Sequence, residues 1–392
     1  MPGVQSKGYG LLFAAAAMTV AWTAPAMAAS PTVTKELKKA GIDLTTLKGS
    51  ESDFAGLDAI VAAAKKEKGA VKFRLTFSPK HARTMLKAFN ERYPSVKVEY
   101  TRGVGAGRSV KPLAAFKTGR YIADIVGAFG SSMKGYTDAN AMENLGGLPA
   151  FKNIPTNMRS KDGLWAAYQT ANWCMAYNTN RIKKSELPKT WQDLVKADSG
   201  LTGGRVGVGN RVHLWLINLW GAYGAEEITN NYLPAFFGTL RPQLRKEGIN
   251  GLMKLASIGE FDVSMPSALY RIKIQVEKGA PLAAHCPEPV PRYFTNATVF
   301  RDSPRVNGAK LLINWLWSKE GQLMQLAVVG AAPVHKDLID PKYFPYGDEL
   351  KGKKIALRDI NLLINELPKA AKVWSAAWRN AGGPARKKRK KR

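Results

Sequence analysis

Three polar residues follow predicted strands and precede predicted helices, where ligands bind in α/β proteins. Ser78 comes directly after the alternating segment Val71–Phe77. It can cap the next helix or donate a hydrogen bond to a ligand. Asn210 and Arg211 follow a second strand, and an arginine at such a place can bind a carboxylate or phosphate through two hydrogen bonds. An ordinary surface arginine is the alternative, so these residues are candidates for binding a ligand.

Motifs for catalysis, cofactors and metals are missing from the sequence. The glycine-rich segment Gly103–Gly107 lacks the spacing of a dinucleotide-binding turn, and no glycine loop ends in Lys-Ser or Lys-Thr. There is no H-E-x-x-H zinc motif and no G-x-S-x-G nucleophile motif. The histidines lie far apart, at positions 81, 213, 285 and 335. We therefore predict a binding protein, not an enzyme, with no catalytic residue, cofactor or metal site.

Helical and strand-like patterns alternate along the chain. Apolar residues at helical spacing predict helices, and short alternating or buried apolar segments predict strands. The predicted helices cover residues 57–68, 81–93, 110–118, 213–224, 249–256, 308–321 and 359–379. The predicted strands cover residues 71–77, 96–100, 123–126, 173–177, 205–208 and 282–285. This alternation is typical of an α/β fold with a largely parallel sheet.

The first 28 residues have the pattern of a secretory signal peptide. Lys7 precedes an apolar stretch from Leu11 to Ala24, and Ala26-Met27-Ala28 provides small residues for cleavage. A membrane anchor is the alternative, but it needs about 20 apolar residues, and Pro25 ends this stretch early. We predict cleavage after Ala28 and a periplasmic mature protein.

The chain is strongly basic, with a formal net charge of +29. Every residue from Arg386 to Arg392 is Lys or Arg, and such a block of like charges predicts a disordered tail. An export signal argues against a role in binding nucleic acid. The tail is therefore expected to be solvated or to contact an anionic envelope surface. The charge of the rest of the chain favours anionic ligands through long-range attraction.

An ordered series of short motifs resembles the bacterial extracellular solute-binding proteins of ABC importers, which include receptors for iron(III), thiamine, polyamines and phosphonates. The most specific motif is Tyr177-Asn178-Thr179-Asn180 followed by residues 187–194, LPKTWQDL. The other pieces, in order, are residues 63–69, 89–100, 119–126, 278–281, 309–316 and 318–322. The resemblance covers about residues 55–340, so the N-terminal segment and the basic tail lie outside it.

This resemblance implies a two-lobed periplasmic-binding-protein fold of type II. Each lobe would be a mostly parallel sheet flanked by helices, with the ligand cleft at the hinge. We predict lobe 1 from residues 51–168 plus 288–335 and lobe 2 from residues 169–287 plus 336–380. Residues 29–50 are expected to form an N-terminal arm, and residues 381–392 the disordered tail.

The resemblance also assigns four further candidate ligand residues. It places a ligand-contacting turn at Ser131 and Ser132, although either serine could simply cap a helix. It brings the segments containing Glu260 and Glu288 to the cleft, where a carboxylate could pair with a ligand amine or balance Arg211. The predicted ligand-binding set is thus Ser78, Ser131, Ser132, Asn210, Arg211, Glu260 and Glu288.

Two residue pairs test finer points of the resemblance. Iron-binding members use closely placed tyrosines, whereas Tyr223 and Tyr232 here are not adjacent, which argues against iron. If Cys174 and Cys286 lie on neighbouring hinge strands, they could form a disulfide, and two buried free thiols are the alternative.

The function implied by the resemblance is that of the substrate-binding subunit of an ABC importer. The protein would capture a small polar or anionic solute by hinge closure and deliver it to a membrane permease and its ATPase subunit. The alternative is a secreted hydrolase or transferase that uses a carboxylate such as Glu260 or Glu288. The sequence does not identify the solute or the oligomeric state.

Overall fold

The computed structural model describes residues 29–104, 107–127, 132–210 and 212–385. The predicted signal peptide and the basic tail at 386–392 lie outside these residues, as do Ser131 and Arg211. Among the described residues, no helix is both long and apolar enough to cross a membrane.

Ten strands build the sheets. They are β1 (Val71–Arg74), β2 (Val98–Tyr100), β3 (Ile125–Gly127), β4 (Ala166–Asn178), β5 (Val206–Gly209), β6 (Gln243–Arg245), β7 (Val263–Ala268), β8 (Leu282–His285), β9 (Val290–Val299) and β10 (Ile355–Leu357).

Helices cover the faces of these sheets. They are α1 (Pro31–Lys39), α2 (Asp58–Ala64), α3 (Pro79–Arg92), α4 (Val110–Phe116), α5 (Met133–Asp138), α6 (Trp191–Leu194), α7 (His213–Tyr223), α8 (Ala225–Glu227), α9 (Leu233–Ala235), α10 (Ile249–Ser257), α11 (Leu269–Val276), α12 (Val306–Trp317), α13 (Lys319–Val329), α14 (Ile360–Asn365) and α15 (Leu367–Asn380). Two π-helical segments, Ile228–Tyr232 and Phe236–Leu240, continue α8 and α9. Short 3-10 turns occupy Leu44–Leu47, Ser50–Phe54, Ala150–Asn153, Thr156–Met158, Lys184–Glu186, Lys336–Leu338, Pro341–Tyr343 and Gly347–Glu349.

Two long strands connect two α/β lobes. In lobe 1 the strand order is β2-β1-β3-β9-β4, with β2, β1 and β3 parallel and β9 antiparallel to β3. In lobe 2 the order is β8-β4-β7-β5-β6, with β7, β5 and β6 parallel. The first half of β4 pairs with β9 and its second half pairs with β7 and β8, so β4 runs from one lobe into the other. β9 similarly pairs with β10 at its start and with β3 at its end. The predicted α/β, two-lobed class is confirmed.

Each lobe has its own apolar core. The core of lobe 1 includes Phe73, Phe89 and Trp315, and that of lobe 2 includes Trp191 and Trp215, all at most 1 % exposed. Burial of large apolar side chains such as these is the main stabilising contribution to each lobe. A further buried cluster in lobe 2 includes Leu252 and Phe261, between α10 and β7.

The segment predicted as an N-terminal arm is instead part of lobe 1. It contains α1, whose Val33 and Leu37 are completely buried in the lobe 1 core. Thr32 donates from its backbone N and its Oγ1 to the carboxylate of Glu91 on α3, at 2.9 and 2.5 Å. The helix forms because Ser30 caps it and Pro31 starts it. The helix has only two completely buried apolar residues, four positions apart, within a mostly polar segment. The sequence pattern therefore does not indicate a buried helix there.

Candidate functional site

The carboxyl ends of the parallel strands in lobe 1 carry polar side chains. Ser78 lies beyond β1, Arg102 beyond β2 and Ser132 beyond β3. Because these strands are parallel neighbours, the three residues lie along one edge of the sheet.

The corresponding edge of lobe 2 is formed by the ends of β5 and β7, which are also parallel. Asn210 follows β5, while β7 leads directly into α11, whose first turn contains Tyr270 and Arg271. The N-terminus of α11 has no side-chain cap, so its first backbone N–H groups are free of a capping oxygen.

A cavity of about 280 Å³ lies between these two edges. We call it the cleft cavity. Its lining comes from lobe 1, from the connecting strand β4 and from lobe 2: Thr76, Phe77, Ser78, His81, Arg102, Gln169, Thr170, Ala171, Asn250, Tyr270, Arg271, Ile274, Gln275, Lys278, Val329 and Ala331. A cavity formed by both lobes and the strand between them is a suitable place for a ligand that promotes lobe closure.

The charged side chains of the cleft cavity are all basic. Arg102 and His81 belong to lobe 1, and Arg271 and Lys278 belong to lobe 2, whereas no Asp or Glu of the described residues lines the cavity. Burial, and then the charge of Lys80, lower the pKa of His81, so its imidazole is mainly neutral at pH 7. The three permanent cations create a positive potential in this space.

Arg271 is held in position by neutral groups. Its Nε donates to the hydroxyl of Tyr270 at 2.9 Å, and its Nη1 donates to Oδ1 of Asn250 at 3.1 Å. Within the described part of the chain it forms no ion pair with a carboxylate. The guanidinium therefore has a fixed orientation and retains donor capacity for an anion.

Gln169 contributes an unsatisfied polar group to the lining of the cavity. It lies on β4 beside a shift in the pairing of β4 with β9. Its Oε1 is buried but has no hydrogen-bond partner in the described structure. An unpaired buried acceptor costs stability, and a ligand hydroxyl or amide N–H could supply the missing donor.

The two described serines of the predicted set both make structural hydrogen bonds. The Oγ of Ser78 accepts from the backbone N of His81 at 3.1 Å and caps α3, while Ser78 also lines the cleft cavity. The Oγ of Ser132 lies 2.7 Å from the Oγ of Ser109. Capping and ligand contact are thus compatible for Ser78, whereas Ser132 and Asn210 do not line the cavity.

The expected placement of Glu260 at the cleft is wrong. Glu260 precedes β7, at the opposite end of the strand from Tyr270, and its Oε1 accepts from Arg245 at 2.9 Å. The strand was missed because Pro266 interrupts its sequence pattern, and proline is unfavourable within a central strand.

Glu288 does not line the cleft cavity either. It lies in the connection between β8 and β9, and its Oε2 accepts from the backbone N of Lys354 at 2.9 Å. This bond positions the chain just before β10. Because neither glutamate reaches the cavity, the carboxylates invoked for a hydrolase or transferase are not brought together there.

Neither Tyr223 nor Tyr232 lines the cleft cavity. The hydroxyl of Tyr223 donates to the backbone O of Glu288 at 3.2 Å, and Tyr232 is buried in the core of lobe 2. Within the described ranges, no group of three or more His, Cys, Asp or Glu residues could hold a metal ion. Of the described tyrosines, only Tyr270 lines the cleft cavity.

Several cavity residues were not among the sequence candidates. Arg102 follows the predicted strand 96–100 and could have been found by the rule that selected Ser78. Tyr270 and Arg271 depend on β7, which the sequence pattern concealed. Gln169 lies within a strand, so only the pairing of β4 reveals that it faces the cleft cavity.

Cys174 and Cys286 form a disulfide where the chain crosses between the lobes. Cys174 is in β4, and Cys286 lies between β8 and β9; both are completely buried. Of the two alternatives open from the sequence, the structure has the bonded one. The bond joins β4 to the segment between β8 and β9.

Two arginines, the half-buried Arg292 and the buried Arg358, add positive charge beside the hinge. Burial lowers the pKa of Arg292 and of Arg358 to about 10. Arg292 donates to Oδ1 of Asn172 at 2.9 Å, and the Arg358 guanidinium lies 5.0 Å from the ring centroid of Tyr293. Neither arginine forms an ion pair in the described structure, so both contribute to the positive potential around the cleft.

Solved structures with the same two-lobed fold include several periplasmic receptors. Ferric ion-binding protein A of Pasteurella haemolytica is 17% identical, with a TM-score of 0.66, and the match covers 79% of this chain and 98% of that chain. Iron-bound HitA of Pseudomonas aeruginosa is 19% identical, with a TM-score of 0.64 and coverages of 79% and 99%. AfuA of Actinobacillus pleuropneumoniae, solved with fructose-6-phosphate bound, is 20% identical, with a TM-score of 0.57 and coverages of 78% and 99%.

Family membership rests on the sequence itself. No curated protein matches the chain in sequence. The profile of the bacterial extracellular solute-binding proteins matches residues 48–323, which include lobe 1 from Ser50–Phe54 to the start of α13 and the larger part of lobe 2. With the two lobes, the hinge strands and the cavity between them, this match shows that the chain belongs to the bacterial extracellular solute-binding protein family.

Proposed function

We propose that this solute-binding protein captures a small organic anion in the cleft cavity and delivers it to the permease and ATPase of an ABC importer. The observation that carries the choice of an anion is the charge of the cavity, which has basic side chains from both lobes and no carboxylate. Arg271 is the principal anchor because Tyr270 and Asn250 fix its guanidinium without neutralising it.

Ferric ion and cationic amines fit the cavity poorly. A hard cation requires carboxylate, phenolate or other anionic oxygen ligands, whereas the cavity offers one tyrosine and one histidine among its basic residues. An ammonium group would meet Arg102, Arg271 and Lys278 without a compensating carboxylate. Of the ligands named for the related structures, fructose-6-phosphate agrees with this charge pattern and iron does not.

Binding can be tested by titration calorimetry with the mature protein. Sulfate, sugar phosphates, carboxylates, polyamines and ferric citrate would be compared at constant ionic strength. We expect binding of one or more anions and a decrease of at least 10-fold in affinity in R271Q, from loss of a charge-assisted hydrogen bond. K254Q is the matched control because Lys254 is an exposed lysine of lobe 2 outside the cavity.

Two results would contradict the proposal. One is binding of a polyamine or of ferric ion without any bound anion. The other is equal anion affinity in R271Q and in the native protein. Small-angle scattering should also show a smaller radius of gyration when the anion is bound, because the ligand contacts both lobes.

The location of the mature protein and the role of the tail complete the proposal. We infer cleavage after Ala28 and a periplasmic location, which N-terminal sequencing of the exported protein tests directly. We also propose that residues 386–392 contact anionic envelope lipids. Binding to vesicles that contain phosphatidylglycerol should then decrease with salt and with deletion of these residues; retention of binding after the deletion would refute the role of the tail.

A further inference from the structure

The lobe 2 wall of the cleft cavity has the features of a receptor for one anionic group. Arg271 is oriented there by Tyr270, and Asn250 accepts its second hydrogen bond. Asn250 lies in the first turn of α10, and Arg271 lies in the first turn of α11. Neither helix has a side-chain cap, so the first backbone N–H groups of each are free of a capping oxygen. The dipoles of both helices also favour negative charge near Arg271.

The lobe 1 wall is a second basic surface, separated from the first by β4. Arg102 follows β2, and His81 lies in the first turn of α3 beside Ser78. Arg102 forms no ion pair within the described ranges and is exposed at the cavity. This wall can therefore accept an anionic group of its own when the lobes approach each other.

Between the two walls the cavity is neutral. Gln169, Thr170 and Ala171 of β4 form this part, and Oε1 of Gln169 has no hydrogen-bond partner among the residues that the structure describes. A solute that extends from one wall to the other thus passes uncharged hydrogen-bonding groups at its middle and cations at both ends.

Lobe closure would enclose at least three permanent positive charges, those of Arg102, Arg271 and Lys278. A single negative charge cannot balance them, and uncompensated charge in a closed site has a large desolvation cost. We infer that the solute carries negative charge at two separated ends, one that contacts Arg271 of lobe 2 and one that contacts Arg102 of lobe 1. This inference rests on the proposed function and specifies its substrate class.

The inference can be tested with pairs of ligands that differ in one charge at one end. The probes are succinate and succinamate, glutarate and glutaramate, and 3-phosphoglycerate and glycerol 3-phosphate. In each pair, the first ligand has charge at both ends and the second has it at one end. We expect at least one two-ended ligand to bind 10-fold or more tightly than its one-ended partner in titration calorimetry.

Variants of the two walls then assign each end. R102Q and R271Q should each reduce the preference for the two-ended ligand to below about 3-fold. The controls R83Q and K254Q remove one charge from the same lobes at exposed positions outside the cavity and should preserve the preference. Circular dichroism spectra and unfolding midpoints equal to those of the native protein exclude misfolding as the cause.

The outcomes separate this inference from the proposed function. Equal or tighter binding of the one-ended ligands overturns the two-ended solute and leaves the anion receptor intact. The same holds if sulfate binds but no ligand of the three pairs does. Failure of all anions to bind overturns the proposed function itself.

Discussion

The disulfide at the hinge gives the sharpest prediction about stability. The bond between Cys174 and Cys286 closes a covalent loop with a sequence separation of 112 residues. That loop contains β5 to β8 and α6 to α11, which form most of lobe 2. Replacement of both cysteines in C174A/C286A should therefore destabilise lobe 2 much more than lobe 1.

The magnitude follows from the entropy of the unfolded chain. Opening a loop of about 100 residues increases the conformational freedom of the unfolded state by about 4.7 kcal/mol at 25 °C. The single variant C174A loses the same cross-link and differs from the double variant by only one small buried group. The two variants should therefore agree to within about 1 kcal/mol.

Hydrogen exchange with mass spectrometry can localise the effect. Amides of β5 and β7 should lose protection in C174A/C286A by an amount close to the loop entropy, while amides of β1 and α3 should change little. Urea unfolding followed by tryptophan fluorescence measures the total change. Reductant alone is a poor substitute for the variant because both cysteines are completely buried.

Two results would refute this reasoning. A loss of less than about 2 kcal/mol in lobe 2 would fall below the usual range for a native disulfide. An equal loss of protection in β1 and α3 would show that the lobes unfold as one unit, in which case the loop does not act on lobe 2 alone.

Three further predictions concern single side chains. Asp124 is completely buried and accepts hydrogen bonds from Nε and Nη2 of Arg305 at 2.7 and 2.8 Å. D124N should lower the free energy of unfolding by about 3–5 kcal/mol in urea titrations. A change below about 1 kcal/mol would contradict a stabilising role of this ion pair. Burial and Lys80 lower the pKa of His81, and a bound anion favours the imidazolium. Sulfate affinity should therefore rise as the pH falls through this pKa, and H81Q should remove that dependence in calorimetry. A pH-independent affinity in the native protein would refute this role of His81. Q169L removes a buried oxygen that has no hydrogen-bond partner in the described structure, so it should raise the free energy of unfolding of the ligand-free protein by about 1 kcal/mol. The same variant should weaken the binding of hydroxylated anions. Unchanged binding would show that Gln169 does not contact the solute.

The sequence predicted the class of fold because the helix and strand patterns are strong in most of lobe 1. The predicted helix 81–93 corresponds to α3 and the predicted strand 71–77 contains β1. Their apolar residues repeat at helical or strand spacing, which depends only on neighbouring positions. The ordered motifs between residues 63 and 322 then indicated the family.

The elements that were missed are those whose patterns are not local. β7 contains Pro266 and is buried on both faces, so it shows no alternation. The first half of β4 and all of β9 form the hinge, where pairing changes from one lobe to the other. Such strands are stabilised by partners more than 50 residues away, and these partners cannot be identified from a short window of sequence.

The amino-acid sequence by itself thus determined the α/β class, the family and the absence of catalytic motifs. It also indicated a preference for anions through the net charge of +29. Only the tertiary structure decided which charges form the binding site, because Arg102, Gln169 and Arg271 come from separate segments and meet only when both lobes fold around β4. In the folded protein, Glu260 and Glu288 lie outside the site, and the side chain of each accepts a hydrogen bond from another part of the chain. A charged side chain acquires its role from what surrounds it, and that environment is created by long-range packing.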